Sequence, residues 1–360
     1  MLNSHYQNEL AQLRRLANEF AQTNPALAPL LGIDSASDPD VERLLEGVAF
    51  LTGMVRQRLD DEFPEFIQEL AQLLYPHYLQ PLPCMTLLQF QPRAALQAPV
   101  HIEAGCEVFS VPVDGQRVRF RSTAPVDLEP LQLLSSQWEG GSGQERSIVL
   151  NFSLTVANPN DWKSDSLRFY LGGGLADASK LMRLLQLNLR EIRIAAPGQP
   201  VTLLPAKYLR SVGFDTNNQL LPFPNNAHPA YRCLQEYFAL PEKFLFVELS
   251  GFQQWHAREA GGQFSVRLMF ENLPDWTMEL SSNSFMLGVT PAINLFNQQA
   301  HPLRIDHKQT DYRIQPADHG QRMSIRIHSI LNVSAYVAGD GERPLKQFNT
   351  FSQHDTYNLR

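Results

Sequence analysis

The chain has 360 residues, more than one ordinary hydrophobic core accommodates, so two or three domains are expected. It is 43% hydrophobic and 19% charged, which excludes a disordered chain, and its formal net charge of -7 gives no pull toward phosphate backbones or an anionic membrane surface. The three cysteines, Cys84, Cys106 and Cys233, stand far apart without a C-x-x-C pair, which argues against a zinc site or a disulfide framework and fits a reducing compartment.

Residues 1–10 lack a basic stretch followed by an apolar run and do not read as a signal peptide. Residues 3–22 place Tyr6, Leu10, Leu13, Ala17 and Phe20 at steps of four and three, one apolar stripe on a helix that Leu16 widens. Thr23-Asn24-Pro25 stops it, because proline disfavours helical backbone in the residue before it. Burying that single stripe returns less than ordering about twenty residues of backbone consumes. The helix must therefore pack, either on the next helix and the β region or on another subunit.

After a loop to Pro39, with Asp38 or Asp40 as cap, a second helix over 41–61 carries Val41, Leu44, Val48, Leu51, Val55 and Leu59 on one face. Leu45, Ala49, Phe50 and Met54 make a second face, and a helix apolar on two sides has neighbours on two sides. A third helix is expected to start near Pro64, a residue suited to a first turn, and to run through Ile67, Leu70, Leu73 and Leu74 to Tyr75-Pro76.

From Cys84 the period shortens. Strands are expected at 87–91, 107–111, 117–121 and 126–128, a loop or hairpin end at 135–147, strands at 148–156 and 167–171, a helix at 177–188 and a strand at 192–195. Residues 213–231, with Pro222, Pro224 and Pro229, read as irregular, although Phe214, Leu220, Leu221 and Phe223 imply packing. Later strands are expected at 244–249, 264–270 and 324–330. The uncharged window 280–300 is broken by Ser281, Ser282, Asn283, Pro291, Asn294 and Asn297 and cannot span a membrane. The expected class is α+β: an N-terminal helical segment over 1–83, then mostly β domains with a few short helices, over 84–200 and 201–360.

Signatures of chemistry fail in their details. Gly172-Gly173-Gly174 sits at a strand-to-helix junction as a phosphate cradle would, but Leu175-Ala176-Asp177 follows where a P-loop needs Gly-Lys-Ser/Thr, so a tight turn is the better account. Gly140-Gly141-Ser142-Gly143-Gln144 misses G-x-S-x-G by one residue. The ten histidines include no H-E-x-x-H pair, and His301 and His307 straddle Pro302 without a nearby cysteine. Asp60-Asp61-Glu62 occupy adjacent helical positions that point apart. No catalytic, cofactor or metal residue is expected. Two rival readings stand beside this one: a hydrolase using Ser142 or Asp215, and a carbohydrate- or peptide-binding β module using Trp138, Trp162, Trp255 and Trp276, residue types more often found in cores or at their rims.

Longer motifs point elsewhere. The segment Asp38-Pro39-Asp40-Val41-Glu42-Arg43-Leu44-Leu45-Glu46-Gly47, then Phe50-Leu51-Thr52-Gly53 and Leu59-Asp60-Asp61-Glu62-Phe63-Pro64, resembles the TssF family, also called ImpG or VasA, of type VI secretion baseplate subunits. The resemblance continues through Leu74-Tyr75-Pro76-His77-Tyr78-Leu79, Phe120-Arg121-Ser122-Thr123 and Leu220-Leu221-Pro222-Phe223-Pro224. It is strongest at Gln235-Glu236-Tyr237-Phe238-Ala239-Leu240-Pro241-Glu242-Lys243-Phe244-Leu245-Phe246, and extends to Thr290-Pro291-Ala292-Ile293-Asn294-Leu295-Phe296 and, more weakly, Asp311-Tyr312-Arg313-Ile314.

The resemblance implies a scaffold rather than an enzyme, without cofactor, nucleic acid or direct membrane insertion. Two TssF copies join one TssG in a wedge that meets TssK, TssE and the VgrG spike hub. Six wedges carry the growing tail tube and sheath in the cytoplasm, docked to the inner face of the inner membrane through other proteins. The family usually continues well beyond the position of Arg360, so its C-terminal part is expected to be absent or truncated here, by truncation, fragmentation or a split gene. On this reading Tyr6, Leu10, Leu13, Phe20, Val48, Leu51 and Val55 help form a helical bundle with TssG and the second TssF copy.

Overall fold

The chain begins with α1, Leu2–Thr23, and α2, Pro39–Leu74, followed by the single turn α3, Pro76–Leu79. A computed structural model describes residues 2–26, 39–93, 95–113, 115, 117–140, 146–156, 158–214, 218–223, 228–256, 262–274, 278–306, 308, 311–317, 325–337 and 341–345. It divides into one unit of Met1–Leu79 with Asn332–Arg360 and a second of Gln80–Leu331.

α1 ends where expected, and the side chains that end it are visible. The Thr23 hydroxyl (2.8 Å), the Asn24 side-chain amide (3.1 Å) and the Asn24 backbone N–H (2.9 Å) all donate to the carbonyl of Phe20, so the last turn closes on one oxygen. α1 and α2 form an antiparallel hairpin. Its seam is made of small and apolar residues: Leu10 and Ala49 are buried, and a Cβ on Gly53 would stand 3.1 Å from the backbone nitrogen of Tyr6. Arg56 to Glu9 (3.0 Å), His5 to Asp60 (3.7 Å) and Arg14 to Glu42 flank the seam. These pairs are partly exposed and contribute orientation more than stability.

α2 does not break at Pro64, as expected from the sequence, but runs through it for 36 residues. A proline inside a helix removes one backbone hydrogen bond and costs about 3 kcal/mol or more. Here the residues on both sides are strongly helix-periodic, and propagation past a single lost bond is more favourable than nucleating a new helix.

The second unit is largely antiparallel sheet. Its strands are β1 Met85–Gln89, β2 Val100–Ile102, β3 Glu107–Phe109, β4 Arg119–Ser122, β5 Val126–Leu128, β6 Leu131–Glu139, β7 Ser147–Leu154 and β8 Leu167–Tyr170. After α4, Leu175–Leu187, come β9 Leu189–Ala195, β10 Thr202–Pro205 and β11 Leu209–Ser211. After α5, Pro229–Ala239, come β12 Phe246–Leu249, β13 Gln263–Phe270 and β14 Val289–Ile293. The sheets are ordered β10-β9-β13-β7-β6, β11-β12-β8, β1-β14-β4-β3 and β2-β5.

The main core gathers β7, β8, β9, β12 and β13 with the inner face of α4. At its centre the fully buried Trp162 lies 5.2 Å from the ring of Phe252 and 5.7 Å from that of Phe264. Strands from both sides of residue 200 alternate in the five-stranded sheet, since β13 pairs with both β7 and β9. The divide expected at 200/201 therefore runs through hydrogen-bonded neighbours. The class is α+β, as expected.

Several elements differ from the sequence expectation. The loop placed at 135–147 begins as strand, because β6 extends to Glu139 and pairs with β7. β14, inside the uncharged window 280–300, is buried along its whole length between β1 and β4, so it has no alternation to read. No strand forms over the described residues 325–330. In the first unit a hairpin follows instead, β15 Val333–Val337 against β16 Gly341–Leu345, in the register Val333↔Leu345 to Val337↔Gly341.

Candidate interaction surfaces

α2 turns a long apolar stripe to solvent. Leu44, Val48, Leu51, Val55, Leu59, Phe63, Phe66, Leu70 and Leu73 are all exposed, Leu44 by 69%. From Leu44 to Leu73 the stripe advances by about 3.6 residues per step, the repeat of a straight α-helix, so it stays on one side instead of spiralling around. Phe50, Met54, Ile67 and Leu74 extend the exposed apolar surface. Each such side chain forgoes about 1.5–3 kcal/mol of burial free energy while it faces water. Contiguous apolar patches of this kind mark interaction sites on soluble proteins.

The seven residues expected at an interface are divided by the structure. Leu10 is buried in the α1–α2 seam, and Tyr6 and Leu13 are half-buried. Phe20, Val48, Leu51 and Val55 are exposed. The first three hold the hairpin together, and the other four face outward.

α5 is built inside out, a feature that apolar periodicity cannot reveal because the helix buries its charges. Arg232 and Glu236 are buried, while Tyr231, Leu234, Tyr237 and Phe238 are exposed, Phe238 by 81%. Glu236 is fully enclosed and satisfied. One carboxylate oxygen accepts from the backbone N–H groups of Leu220 (2.9 Å) and Leu221 (3.1 Å), and the other accepts from the Lys243 ammonium. The Arg232 guanidinium lies 3.9 Å away. Burial pushes the Lys243 ammonium below its usual pKa, and the adjacent Glu236 carboxylate opposes that shift.

The chain around Lys243 fits tightly. A Cβ on Gly213 would meet the Lys243 carbonyl oxygen at 2.6 Å and the Phe244 Cα at 2.7 Å. Phe244 packs against Phe214 at 4.8 Å and Tyr237 at 5.9 Å, with its ring tilted to both. The motif from Gln235 to Phe246 is thus a device that fastens the residues 220–221 to α5 and leads the chain into β12.

Of the sites weighed for chemistry, the glycine turn before α4 and three of the tryptophans serve packing. Gly173 and Gly174 have φ of 92° and 105°, and a Cβ on Gly172 would stand 2.5 Å from the carbonyl oxygen of Asn283, so the turn into α4 requires glycine. Trp162 and Trp255 are buried, and half-buried Trp138 donates its indole N–H to the carbonyl of Met278 at 3.1 Å. Asp38, Ser142, Asp215, Trp276 and His307 lie outside the described residues. Among the described residues no cluster of three His, Cys, Asp or Glu is placed to hold a metal ion, and no helix is long and apolar enough to cross a membrane.

An α+β chain that exposes a 36-residue helix along its apolar stripe and buries the charges of another belongs to the class of proteins that present large apolar interaction surfaces. The model of the type VI secretion system TssF family matches residues 1–359. The type VI secretion system component TssF1 of Pseudomonas aeruginosa PAO1 is 32% identical over 370 residues, which cover 96% of this chain and 59% of the relative. A chain in the cryo-electron microscopy structure of the type VI secretion system TssK-TssF-TssG baseplate subcomplex is similar in fold, with a TM-score of 0.68 and 27% identity, over 77% of this chain and 53% of its own. The chain therefore belongs to the TssF family, and it spans between one half and three fifths of the length of these relatives.

Proposed function

We propose that this protein is a non-enzymatic structural subunit of the type VI secretion baseplate wedge, working in the cytoplasm beside TssG and TssK. Within that reading two copies share one TssG, and the wedge meets TssE and the VgrG spike hub at the inner face of the inner membrane. Membership in the TssF family supports the baseplate role, as does the similarity to a chain solved with TssK and TssG. The single observation that carries the scaffold reading is the exposed stripe of α2, which has no use in a free monomer and suits a helix-on-helix interface.

In this reading Phe20, Val48, Leu51 and Val55 contact TssG and the second copy. Tyr6, Leu10 and Leu13 act beneath them by fixing α1 on α2. The test is co-expression with TssG followed by affinity purification. The wild-type chain is expected to bring TssG with it, and a Leu51→Asp, Val55→Asp variant to lose it while keeping its helical circular dichroism. Undiminished co-purification by that variant removes α2 from the interface and refutes the reading.

A further inference from the structure

The two edges of the hairpin at 333–345 are guarded very differently. β16 carries Glu342, Arg343 and Pro344, the charges and the missing N–H that natural sheets use to stop another strand from adding. β15 reads Val-Ser-Ala-Tyr-Val, without a charge or a proline, and its Tyr336 is 82% exposed. Among the described residues β15 pairs with β16 alone. A two-stranded sheet in water is marginal by itself, and a third or fourth strand gives it independent stability.

We propose that the edge of β15 that no described strand covers is a pairing site for β15 of a second copy of this chain. The inference deepens the proposed association of two copies and rests on that part of it. An edge strand offers unpaired backbone N–H and C=O groups, so its occupant is an extended strand. A second copy fits because antiparallel β15 is complementary to itself about a twofold axis. Ala335 then lies opposite Ala335, Ser334 opposite Tyr336, and Val333 opposite Val337, with all five positions used and no charge facing another. The same operation on β16 would set Arg343 against Arg343, like charges directly opposed. The product is a four-stranded sheet, β16-β15-β15-β16.

Five residue pairs cover less area than the roughly 1,200–2,000 Å² of a stable interface, so the contact is expected to be weak on its own. Trapping is therefore the appropriate test. Directly opposed residues of antiparallel strands have Cα atoms about 4.5–5.5 Å apart, within the range a disulfide spans. The full chain carrying Ala335→Cys, treated with oxidised glutathione, is expected to form a covalent dimer on a non-reducing gel, reversed by dithiothreitol. The wild type, with its own three cysteines, and a Glu342→Cys variant are expected to stay at a common low background. Adding Ser334→Lys, which brings a lysine to the edge, is expected to reduce the Ala335→Cys dimer several-fold at an unchanged unfolding midpoint.

Ala335→Cys at background, equal trapping by Glu342→Cys, or trapping of Ala335→Cys only on a different co-expressed chain each overturns the proposal. Failure here with TssG still co-purifying would remove the strand pairing and leave the baseplate reading standing.

Discussion

The Lys243 ammonium rests on the Glu236 carboxylate inside the second unit, with both side chains shut off from solvent. A buried pair is weak evidence for stability as a pair, but breaking it leaves one charge uncompensated. Glu236→Ala also strands the N–H groups of Leu220 and Leu221. It is expected to destabilise the second unit by about 3–5 kcal/mol in denaturant unfolding followed by tryptophan fluorescence. Adding Lys243→Met is expected to recover part of that loss, because the orphaned ammonium goes with it. A double variant less stable than Glu236→Ala alone would show that Lys243 is held by something other than this carboxylate.

Two phenylalanines six residues apart are expected to behave in opposite ways. Phe244 is buried against Phe214 and Tyr237, and Phe244→Ala is expected to cost about 3–5 kcal/mol through lost burial and the cavity left behind. Phe238 is 81% exposed, and Phe238→Ser is expected to change stability by about 0.5 kcal/mol or less. Urea unfolding of the two variants side by side measures the difference. Equal losses would mean that α5 does not face outward as described.

His101 Nδ1 lies 2.5 Å from Asp127 across the β2–β5 ladder, and His101 Nε2 lies 3.5 Å from Glu103. The hydrogen bond to Asp127 is the main reason its pKa is raised above the usual histidine value, with the charges of Asp127 and Glu103 adding to it. A raised folded-state pKa means that the folded chain holds the proton more tightly than the unfolded chain. The stabilisation is complete below the unfolded value, near 6.5, and disappears as pH rises through the folded value. Proton NMR is expected to place His101 above that unfolded value, and Asp127→Asn to bring it down. A midpoint unmoved by Asp127→Asn would detach the shift from this pair.

Helix and strand were legible where one face is buried and the other wet. The stripe from Tyr6 to Phe20 and the one from Leu44 to Leu59 announce α1 and α2, and the alternation at 264–270 announces β13. What escaped is physical in each case. β14 is covered on both faces and shows no period, and α5 carries a period of the opposite sign. Pro64 signals a start that the long helix overrides. The interface set was legible as a group of apolar residues, but only tertiary packing divides Leu10 in the seam from Leu51 on the surface.

The closeness of α1 and α2 can be tested with two glycines of α2 that lie six residues apart. Gly47 has no atom within 4 Å of where a Cβ would be, so Gly47→Ala is expected to stabilise the helix by about 0.5–1 kcal/mol, the usual gain from restricting a helical glycine. At Gly53 the same Cβ would lie 3.1 Å and 3.2 Å from the backbone nitrogen and Cα of Tyr6. The helix backbones cannot yield there without separating, so Gly53→Ala is expected to gain nothing or to lose stability, and Gly53→Leu to part the hairpin and expose Leu10. Thermal unfolding by circular dichroism at 222 nm measures all three. A Gly53→Ala gain equal to that of Gly47→Ala would mean that α1 does not pack on α2 at this point, and the outward direction assigned to Val48, Leu51 and Val55 would fall with it.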